Sequence, residues 1–205
     1  MIKYHYDIEQ NTDEWWQIRC GLITASYCSE LLMADSCKGY QQLIKKIAEE
    51  RFTGELCQSK KWQGNMYTNR GHDMESQALT SYEAESLDTV ERVGFISRGD
   101  KIGCSPDGLI GDDGLIQVKC PIFDTIYNYH TKKTIPADYY KQMQFELYVT
   151  GRQYNVFYAW HPNLAPVTIK VEREAKMLGE INNALEQAEL KINLLIEQYN
   201  DIGRF

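Results

Sequence analysis

The sequence predicts an α/β fold in which a mixed central sheet is flanked by helices. Apolar residues recur at three- and four-residue spacings, which is typical of helices that bury one face, at residues 38–52, 68–85 and 174–199. Shorter runs of β-branched and aromatic residues, which favour strands, lie at residues 89–98, 102–105, 115–120, 153–160 and 167–171. With 205 residues, of which 43% are hydrophobic, the chain can bury one sizeable core. We therefore expect residues 1–205 to form a single domain.

The net charge of the chain is −7, which is the wrong sign for binding nucleic acid through bulk attraction. A local groove can still be basic while the rest of the surface is acidic. Three lysine pairs are candidates for such a groove, although charge runs this short are more often solvated surface: Lys45 and Lys46, Lys60 and Lys61, and Lys132 and Lys133.

The cysteines and the apolar runs indicate the cellular compartment. The six cysteines include no C-x-x-C pair and fit the reduced thiols of a cytosolic protein. The four histidines lack zinc-type spacing. The residues that follow Met1 are too polar for a signal peptide, and no apolar run approaches the roughly 20 residues of a membrane span. We expect a cytoplasmic protein with no membrane association.

Two helices are predicted near the amino terminus. The first begins at Asn11 as its cap residue and runs to about Cys20, where a glycine follows. The second opens at residues 24–26, and its free backbone N–H groups suit a phosphate. Arg19 can hold the same anion with two hydrogen bonds. On chemistry alone, Thr and Ser at a helix start more often serve only as caps.

The helix predicted at residues 68–85 carries an acidic residue on its apolar face. Glu75 shares that face with Ala78, Leu79 and Tyr82, because these residues lie three, four and seven positions after it. A carboxylate that points inward requires a cation. This placement predicts a metal ion between the helix and a neighbouring strand pair.

That strand pair is predicted from two apolar runs, residues 102–105 and 115–120, which flank a segment rich in Gly and Asp. Alternation along the second strand puts Gln117 and Lys119 on one face. Asp107 is expected near their level on the opposite strand. An unpaired charge there costs on the order of several kcal/mol. Either an Asp–Lys salt bridge satisfies the group, or the group binds a metal ion.

Several segments resemble one nuclease family. Residues 105–110, Ser-Pro-Asp-Gly-Leu-Ile, and residues 117–121, Gln-Val-Lys-Cys-Pro, resemble the PD-(D/E)XK motif, and more specifically the YqaJ branch that includes phage lambda exonuclease. Three further matches occur in family order: Arg-Cys-Gly-Leu-Ile-Thr-Ala-Ser at residues 19–26, Gly-His-Asp-Met-Glu at residues 71–75, and Gln142 with Gln144 as the closing Q-x-Q. The resemblance implies a PD-(D/E)XK restriction-endonuclease-like core over nearly the whole chain.

The resemblance also implies a catalytic site formed by Asp107, Gln117, Lys119 and Glu75. Two Mg²⁺ ions, or Mn²⁺ in their place, would be held by Asp107, Gln117, Glu75 and the backbone carbonyl of Val118. Lys119 would orient the attacking water or stabilise developing negative charge. Gln117 stands at the acidic position of the motif, so its amide oxygen can bind a hard cation but brings no negative charge.

The same resemblance assigns a DNA-binding role to five residues. Arg19 and Ser26 would hold the 5′-phosphate of a DNA end, with Thr24 as a weaker candidate. Gln142 and Gln144 would contact DNA from a helix expected at residues 137–150. Glutamines on a helix are otherwise usually solvated, so this role rests on the resemblance.

The function implied is a Mg²⁺-dependent 5′–3′ exonuclease that digests one strand of linear double-stranded DNA. It would serve phage-type homologous recombination by single-strand annealing in the cytoplasm of a bacterial host. The implied assembly is a homotrimeric ring, with a single-strand annealing protein as its partner. A ring that encloses DNA would reconcile the acidic net charge with the substrate.

Several alternatives remain open at this stage. Gln117 is either a tolerated natural variant, an engineered change that silences the enzyme, or the mark of a non-cleaving DNA-end-binding protein. A structure-specific or site-specific endonuclease could use the same core. A purely structural assembly protein is a further alternative to the exonuclease. The apolar stripe of residues 174–199 packs either on its own domain or at a subunit interface.

Overall fold

The computed structural model describes residues 1–57 and 66–203, with side chains for residues 1–57 and 74–203. Within these residues, strands form two mixed sheets rather than the one central sheet that the sequence predicts. The first sheet has the order β1-β4-β5-β2, with a parallel β5–β2 pair and antiparallel neighbours elsewhere. Its strands are β1 (Ile2–His5), β2 (Ile23–Thr24), β4 (Phe95–Arg98) and β5 (Ile102–Cys104).

The second sheet has five strands in the order β3-β6-β7-β8-β9. Its central β7–β8 pair is parallel, and the other pairs are antiparallel. The strands are β3 (Val90–Glu91), β6 (Gly108–Ile110), β7 (Gly114–Lys119), β8 (Tyr154–His161) and β9 (Leu164–Glu172). A helical connection joins the parallel pair, as a crossover between parallel strands requires.

The strand predicted at residues 89–98 is two strands that belong to different sheets. The break falls at Gly94, where an added Cβ would lie 1.7 Å from the carbonyl oxygen of Ile8. The chain therefore passes against the backbone of the N-terminal loop at this point, and only glycine fits there. The predicted single strand is wrong because this close approach depends on a residue far away in the sequence.

The predicted partner of β7 is also wrong. Residues 102–105 supply β5 to the first sheet, whereas Gly108–Ile110 pairs with Gly114–Lys119 in the second sheet. Pro106 lies between the two strands and has no N–H to donate to a ladder. The chain thus changes sheets over residues 105–107, and this change puts Asp107 at the boundary between the two sheets.

Seven α-helices and one 3₁₀ turn occur in the described residues: α1 (Asp13–Ile18), the 3₁₀ turn (Ala25–Tyr27), α2 (Cys28–Leu31), α3 (Lys38–Thr53), α4 (Met66–Ser86), α5 (Phe123–Lys132), α6 (Ala137–Thr150) and α7 (Ala175–Ile202). The predictions for α3 and α6 are confirmed, and each ends at a left-handed glycine. The cap of α1 is Thr12, not Asn11, and α1 ends at Ile18 rather than near Cys20. The predicted second helix begins as the 3₁₀ turn, and α2 is short.

Helix α6 packs on both sheets. It contacts β4 and β5 of the first sheet and β8 of the second. Phe145, Leu147 and Val149 belong to the largest apolar cluster, together with residues of α3 and α7. Met143 packs with Phe157 of β8 in another cluster. Any polar residue in the middle of α6 is therefore carried into the interior.

Helix α7 buries its apolar stripe on its own chain. Ile181, Leu185, Ala188 and Ile192 are buried and contribute to the same cluster as α3 and α6. Leu190 and Leu194 lie on the opposite side and are exposed. None of the helices in residues 1–57 and 66–203 combines the length and the apolarity that crossing a membrane requires.

Candidate active site

Asp107 lies where the chain leaves the first sheet and enters the second. Its backbone N–H donates to the carbonyl of Ile116 at 3.1 Å, which fixes the start of the β6–β7 pairing. Its Oδ2 atom accepts from Gln117 Nε2 at 2.7 Å and from the backbone N–H of Val118 at 2.6 Å. The sequence-predicted proximity of Asp107 to the second strand is thus present, although the strand that brings it there is β6.

The charge state of Asp107 reflects its surroundings. The pKa of its carboxyl group is raised to about 6 by burial, with a smaller contribution from the negative charge of Glu75. The positive charge of Lys119 and the hydrogen bond from the Val118 N–H act in the opposite direction. Two acidic groups that resist joint ionisation form a site that favours a cation.

Glu75 contacts a cation that the sequence analysis did not foresee. Arg92 Nη1 donates to Glu75 Oε1 at 2.5 Å and to the backbone carbonyl of Asp107 at 3.3 Å. The Glu75 side chain is 26% exposed and that of Arg92 is 50% exposed, so Glu75 is less buried than its helical face predicts. Both side chains border a cleft of about 670 Å³ that also reaches Asp107 and residues 6–11.

The rest of the α4 face packs as predicted. Ala78, Leu79 and Tyr82 are buried in one apolar cluster with Ile116 and Val118 of β7. This packing holds α4 against the outer face of the strand that carries the motif. It positions Glu75 at the end of the cluster, beside the cleft.

Lys119 ends β7 and lies at the border of the site. Its Nζ atom is 5.1 Å from the centroid of the Tyr139 ring, a distance typical of a cation–π contact. Its charge lowers the pKa of Asp107, so the amine and the carboxylate act on each other electrostatically. The side chain of Val118 points into the apolar cluster instead, and its N–H contacts Asp107.

Gln117 is buried and its amide is fully engaged. While Nε2 donates to Asp107, Oε1 accepts from Gln142 Nε2 at 2.9 Å. Gln142 Nε2 also donates to Glu146 Oε1 at 3.0 Å, and Asn155 Nδ2 donates to Glu146 Oε2 at 2.7 Å. We call Gln117, Gln142, Glu146 and Asn155 the amide network. It connects Asp107 at the surface of the site to the interior of α6.

The sequence analysis missed Glu146. Its pKa is raised to about 7 by burial and by the charge of Asp107, against the hydrogen bonds from Gln142 and Asn155 and the charge of Lys119. A signal was present in the sequence. Glu146 lies one helical turn after Gln142 and directly between Phe145 and Leu147, which are core residues, so its burial could have been predicted.

Gln144 has different partners from Gln142. Its Nε2 donates to the carbonyl of Glu172 at 2.7 Å, and its Oε1 accepts from the N–H of Glu174 at 3.1 Å. Gln144 is completely buried. The structure therefore places it at the junction between β9 and α7, apart from the amide network.

A second group of polar side chains surrounds Arg19. Its Nη2 donates to the hydroxyls of Thr24 and Ser26, both at 3.2 Å, and its Nη1 lies 3.5 Å from Ser105 Oγ. The guanidinium stacks over the Trp15 ring at 4.0 Å. Burial lowers the pKa of Arg19 to about 10, so the side chain stays charged at neutral pH. We call this group the Arg19 pocket.

Ser105 was not among the predicted site residues, yet it joins the Arg19 pocket to the carboxylate site. It lies two residues before Asp107 and accepts from Trp15 Nε1 at 2.9 Å. Among the ion pairs of the described residues, none involves Arg19. The pocket thus presents a cation and hydroxyl groups without a carboxylate partner, which suits an anion.

Two of the three predicted lysine pairs lie within the described residues. Lys46 pairs with Glu50 at 2.8 Å. Lys132 and Lys133 are exposed at the end of α5. Lys60 and Lys61 lie outside the described residues.

The donor set of the carboxylate site suits a hard cation. No cluster of three or more His, Cys, Asp or Glu side chains suited to a metal occurs in the described part of the chain. However, Asp107 and Glu75 border one cleft, and their mutual repulsion is offset by Arg92. Two carboxylates with water as the remaining ligands match what Mg²⁺ prefers, so these residues fit the ion that the sequence analysis implies.

Comparison with known proteins identifies the family of the chain. The YqaJ-like viral recombinase domain matches residues 14–153, which is more than half of the chain. The chain belongs to this family. No curated protein matches it. The matched residues contain the Arg19 pocket, the carboxylate site and the amide network except Asn155.

Solved structures of exonucleases share the fold. An alkaline exonuclease (LHK-Exo) from Laribacter hongkongensis is 29% identical, with a TM-score of 0.78, over 94% of this chain and 100% of that chain. Its complex with dAMP gives 28% identity and a TM-score of 0.80, with the same coverage. A phage-related exonuclease from Haemophilus somnus 129PT has 14% identity and a TM-score of 0.65, over 87% of this chain and 96% of that chain. The fold is therefore of the PD-(D/E)XK type.

Proposed function

We propose that the protein is a Mg²⁺-dependent 5′–3′ exonuclease that digests one strand of linear double-stranded DNA in phage-type recombination. The observation that carries the proposal is that residues 105–107 join an anion pocket to a pair of carboxylates. Ser105 contacts Arg19, and Asp107 shares a cleft with Glu75. The family and the exonucleases of similar fold support a nuclease that acts on DNA.

The Arg19 pocket would bind the terminal 5′-phosphate. A buried guanidinium without an anionic partner is costly, and a phosphate group would relieve that cost through charge-assisted hydrogen bonds. The hydroxyls of Thr24, Ser26 and Ser105 would bind the remaining phosphate oxygens. Because the pocket is built from side chains at fixed positions, it would hold the DNA end at a fixed distance from Asp107.

The carboxylate site would perform the hydrolysis. Asp107 and Glu75 would hold Mg²⁺, which when bound polarises the phosphoryl group and acidifies its water. Lys119 would place its ammonium next to the phosphoryl oxygens and stabilise their developing negative charge. The ring of Tyr139 would keep this amine in position, and Arg92 would turn from Glu75 towards the substrate phosphate.

A non-cleaving DNA-end binder is a second candidate, and one observation favours it. The amide of Gln117 donates to Asp107 Oδ2, so it occupies part of the carboxylate that would bind the metal ion. Binding through Gln117 Oε1 would require its side chain to release Gln142. If that rearrangement did not occur, the Arg19 pocket would still bind DNA ends without cleavage.

The decisive experiment is a time course on linear duplex DNA with 5′-phosphate or 5′-hydroxyl ends, in Mg²⁺, Mn²⁺ or EDTA. The proposal expects mononucleotides released from the phosphorylated strand, only with metal, and an intact closed circle. Cleavage of the closed circle would indicate an endonuclease instead. Tight binding of phosphorylated ends without any product would support the end binder.

We also propose a ring-shaped homotrimer and a single-strand annealing protein as its partner. A ring would let local cationic groups surround the DNA although the net charge of the chain is −7. Analytical ultracentrifugation of the full chain would give the assembly, and a trimer is expected. Co-purification of the chain with a single-strand annealing protein would test the partnership.

A further inference from the structure

Glu146 is an acidic residue that the proposed chemistry leaves unused. Its side chain is completely buried, and the ion pairs of the described residues do not include it. Its two oxygen atoms accept from Gln142 and Asn155. Both donors are amide N–H groups, which match an ionised carboxylate. Burying an ionised carboxylate that accepts only from neutral donors destabilises the folded protein. This cost suggests that Glu146 has a functional role.

The position of Glu146 indicates that role. Gln142 Nε2 lies 2.9 Å from Gln117 Oε1 and 3.0 Å from Glu146 Oε1, so one amide group separates the strand position from the helix carboxylate. Gln117 on strand β7 is neutral, whereas Glu146 on helix α6 is acidic. Asp107 and Glu146 also act on each other electrostatically, although α6 and the β5–β6 segment are far apart in sequence.

We propose that Glu146 supplies, from helix α6, the negative charge that Gln117 does not bring to the Mg²⁺ site. This inference rests on the proposed function. Glu146 is a positioning residue: it holds Gln142, and Gln142 holds the Gln117 amide. Its charge acts on the cation through a buried region, where solvent screens little.

A purely structural role makes different predictions. If Glu146 only filled the hydrogen bonds of Gln142 and Asn155, its charge would not affect metal binding. Glu146→Gln has nearly the same shape and keeps one acceptor, so it removes the charge with little change in volume. Its new amide N–H faces the donor of Gln142 or Asn155, so the result specific to the charge is recovery of Mg²⁺ affinity in a variant that restores a carboxylate at residue 117.

The test is calorimetric titration of Mg²⁺ at about pH 8, where a carboxyl group with a pKa of about 7 is mostly ionised. The titrated proteins are the parent, Glu146→Gln and the double variant Gln117→Glu with Glu146→Gln. Removal of one charge is expected to weaken Mg²⁺ binding about tenfold, on the order of 1.4 kcal/mol. The double variant, which moves the charge to the strand, is expected to return to within about threefold of the parent. Glu50→Gln removes another buried carboxylate, outside the amide network, and should leave the affinity unchanged.

Two results would overturn the inference: parental Mg²⁺ affinity in Glu146→Gln, or no recovery in the double variant. If Glu146→Gln does not fold, Glu146→Asp replaces it. This variant keeps the charge and should bind Mg²⁺ within about threefold of the parent, since a full tenfold weakening would show that shape rather than charge matters. Failure of the proposed function looks different, because the parent itself would then neither bind Mg²⁺ nor cleave DNA.

Discussion

Replacing Gln117 by Glu tests the hydrogen bond that defines the carboxylate site. In the parent, Gln117 Nε2 donates to Asp107 Oδ2 at 2.7 Å. Gln117→Glu puts a second carboxylate at that distance while the Gln142 amide still points at it. Without metal the two carboxylates repel each other, and with Mg²⁺ a cation can bind between them.

The size of the effect follows from the distance. Two unit charges at this separation repel by about 6 kcal/mol at an effective dielectric constant of about 20. The pair can instead share a proton, and taking that proton up at about pH 8 costs about 5 kcal/mol for a carboxyl group with an ordinary pKa. Because proton uptake costs less than the repulsion at this pH, it sets the expected loss of unfolding free energy. At about pH 6 the same proton costs only about 2 kcal/mol.

We therefore expect metal-free Gln117→Glu to lose about 5 kcal/mol of unfolding free energy at about pH 8 and about 2 kcal/mol at about pH 6. The sign follows from linkage, because the folded variant keeps a proton that the unfolded chain releases, so stability falls as pH rises. Millimolar Mg²⁺ should recover most of the loss. Urea unfolding followed by tryptophan fluorescence measures the loss at each pH in EDTA and the recovery in Mg²⁺.

A matched control is Gln187→Glu, which makes the same change at an exposed position of α7 and should change stability little at either pH. If Gln117→Glu in EDTA were as stable as the parent at about pH 8, Gln117 would not donate to Asp107 and the geometry would be wrong. The cleavage rate adds a separate test. A large gain in Mg²⁺-dependent cleavage would mean that glutamine silences the site, and an unchanged rate would mean that it is tolerated.

The remaining predictions concern pH, the anion pocket and the sheet boundary. The folded-state pKa values of Asp107 and Glu146, about 6 and about 7, lie above their ordinary values, so metal-free parent protein should lose stability as pH rises from about 4 to about 7, by a few kcal/mol in urea unfolding. Arg19→Ala should reduce the preference for 5′-phosphate over 5′-hydroxyl ends by about tenfold to a hundredfold in cleavage assays, since it loses charge-assisted hydrogen bonds. Gly94→Ala should lower the thermal midpoint strongly, because the added Cβ meets the Ile8 backbone. Gly179→Ala meets nothing within 4 Å and should raise stability by up to about 1 kcal/mol.

Local signals predicted the helices well. Helices α3 and α6 have apolar periodicity and end at glycines that adopt left-handed conformations. The positions of their ends can therefore be predicted from nearby residues. The first helix shows the limit of such signals. Asn11 and Thr12 are both good caps by residue type, and the choice of Thr12 depends on the backbone conformation of Asn11, which has a φ of 70°.

The division into two sheets could not be predicted in the same way. Residues 89–98 have the composition of one strand, but Gly94 passes against the N-terminal loop and separates β3 from β4. Residues 102–105 likewise have the composition of a hairpin strand, yet they pair with β4. Sheet membership depends on contacts between distant residues, and strand propensity contains no information about them.

The site shows the same contrast between residue type and partner. Sequence spacing put Asp107 near Gln117 and Lys119, and it put Glu75 on the face that packs against β7. It did not reveal Arg92, since a helical pattern predicts that an inward acid needs a cation but not which element provides it. The role of Glu146 depends on Asn155 of β8 as well as on Gln142 of its own helix, and the pattern of α6 alone does not identify the partner on another element.

The two halves of the site have opposite electrostatic needs, and this explains how an acidic chain can act on DNA. The Arg19 pocket has a buried cation with hydroxyl partners, so it lacks an anion. The carboxylate site brings Asp107 and Glu75 together and feels the charge of Glu146, so it lacks a cation. A DNA end with its bound Mg²⁺ brings an anion for the Arg19 pocket and a cation for the carboxylate site. Both sites are occupied together only when the phosphates of the DNA end reach across residues 105–107, which join the two sites. Binding selectivity can therefore arise from this local pairing, while the net charge of −7 opposes non-specific attraction elsewhere on the surface.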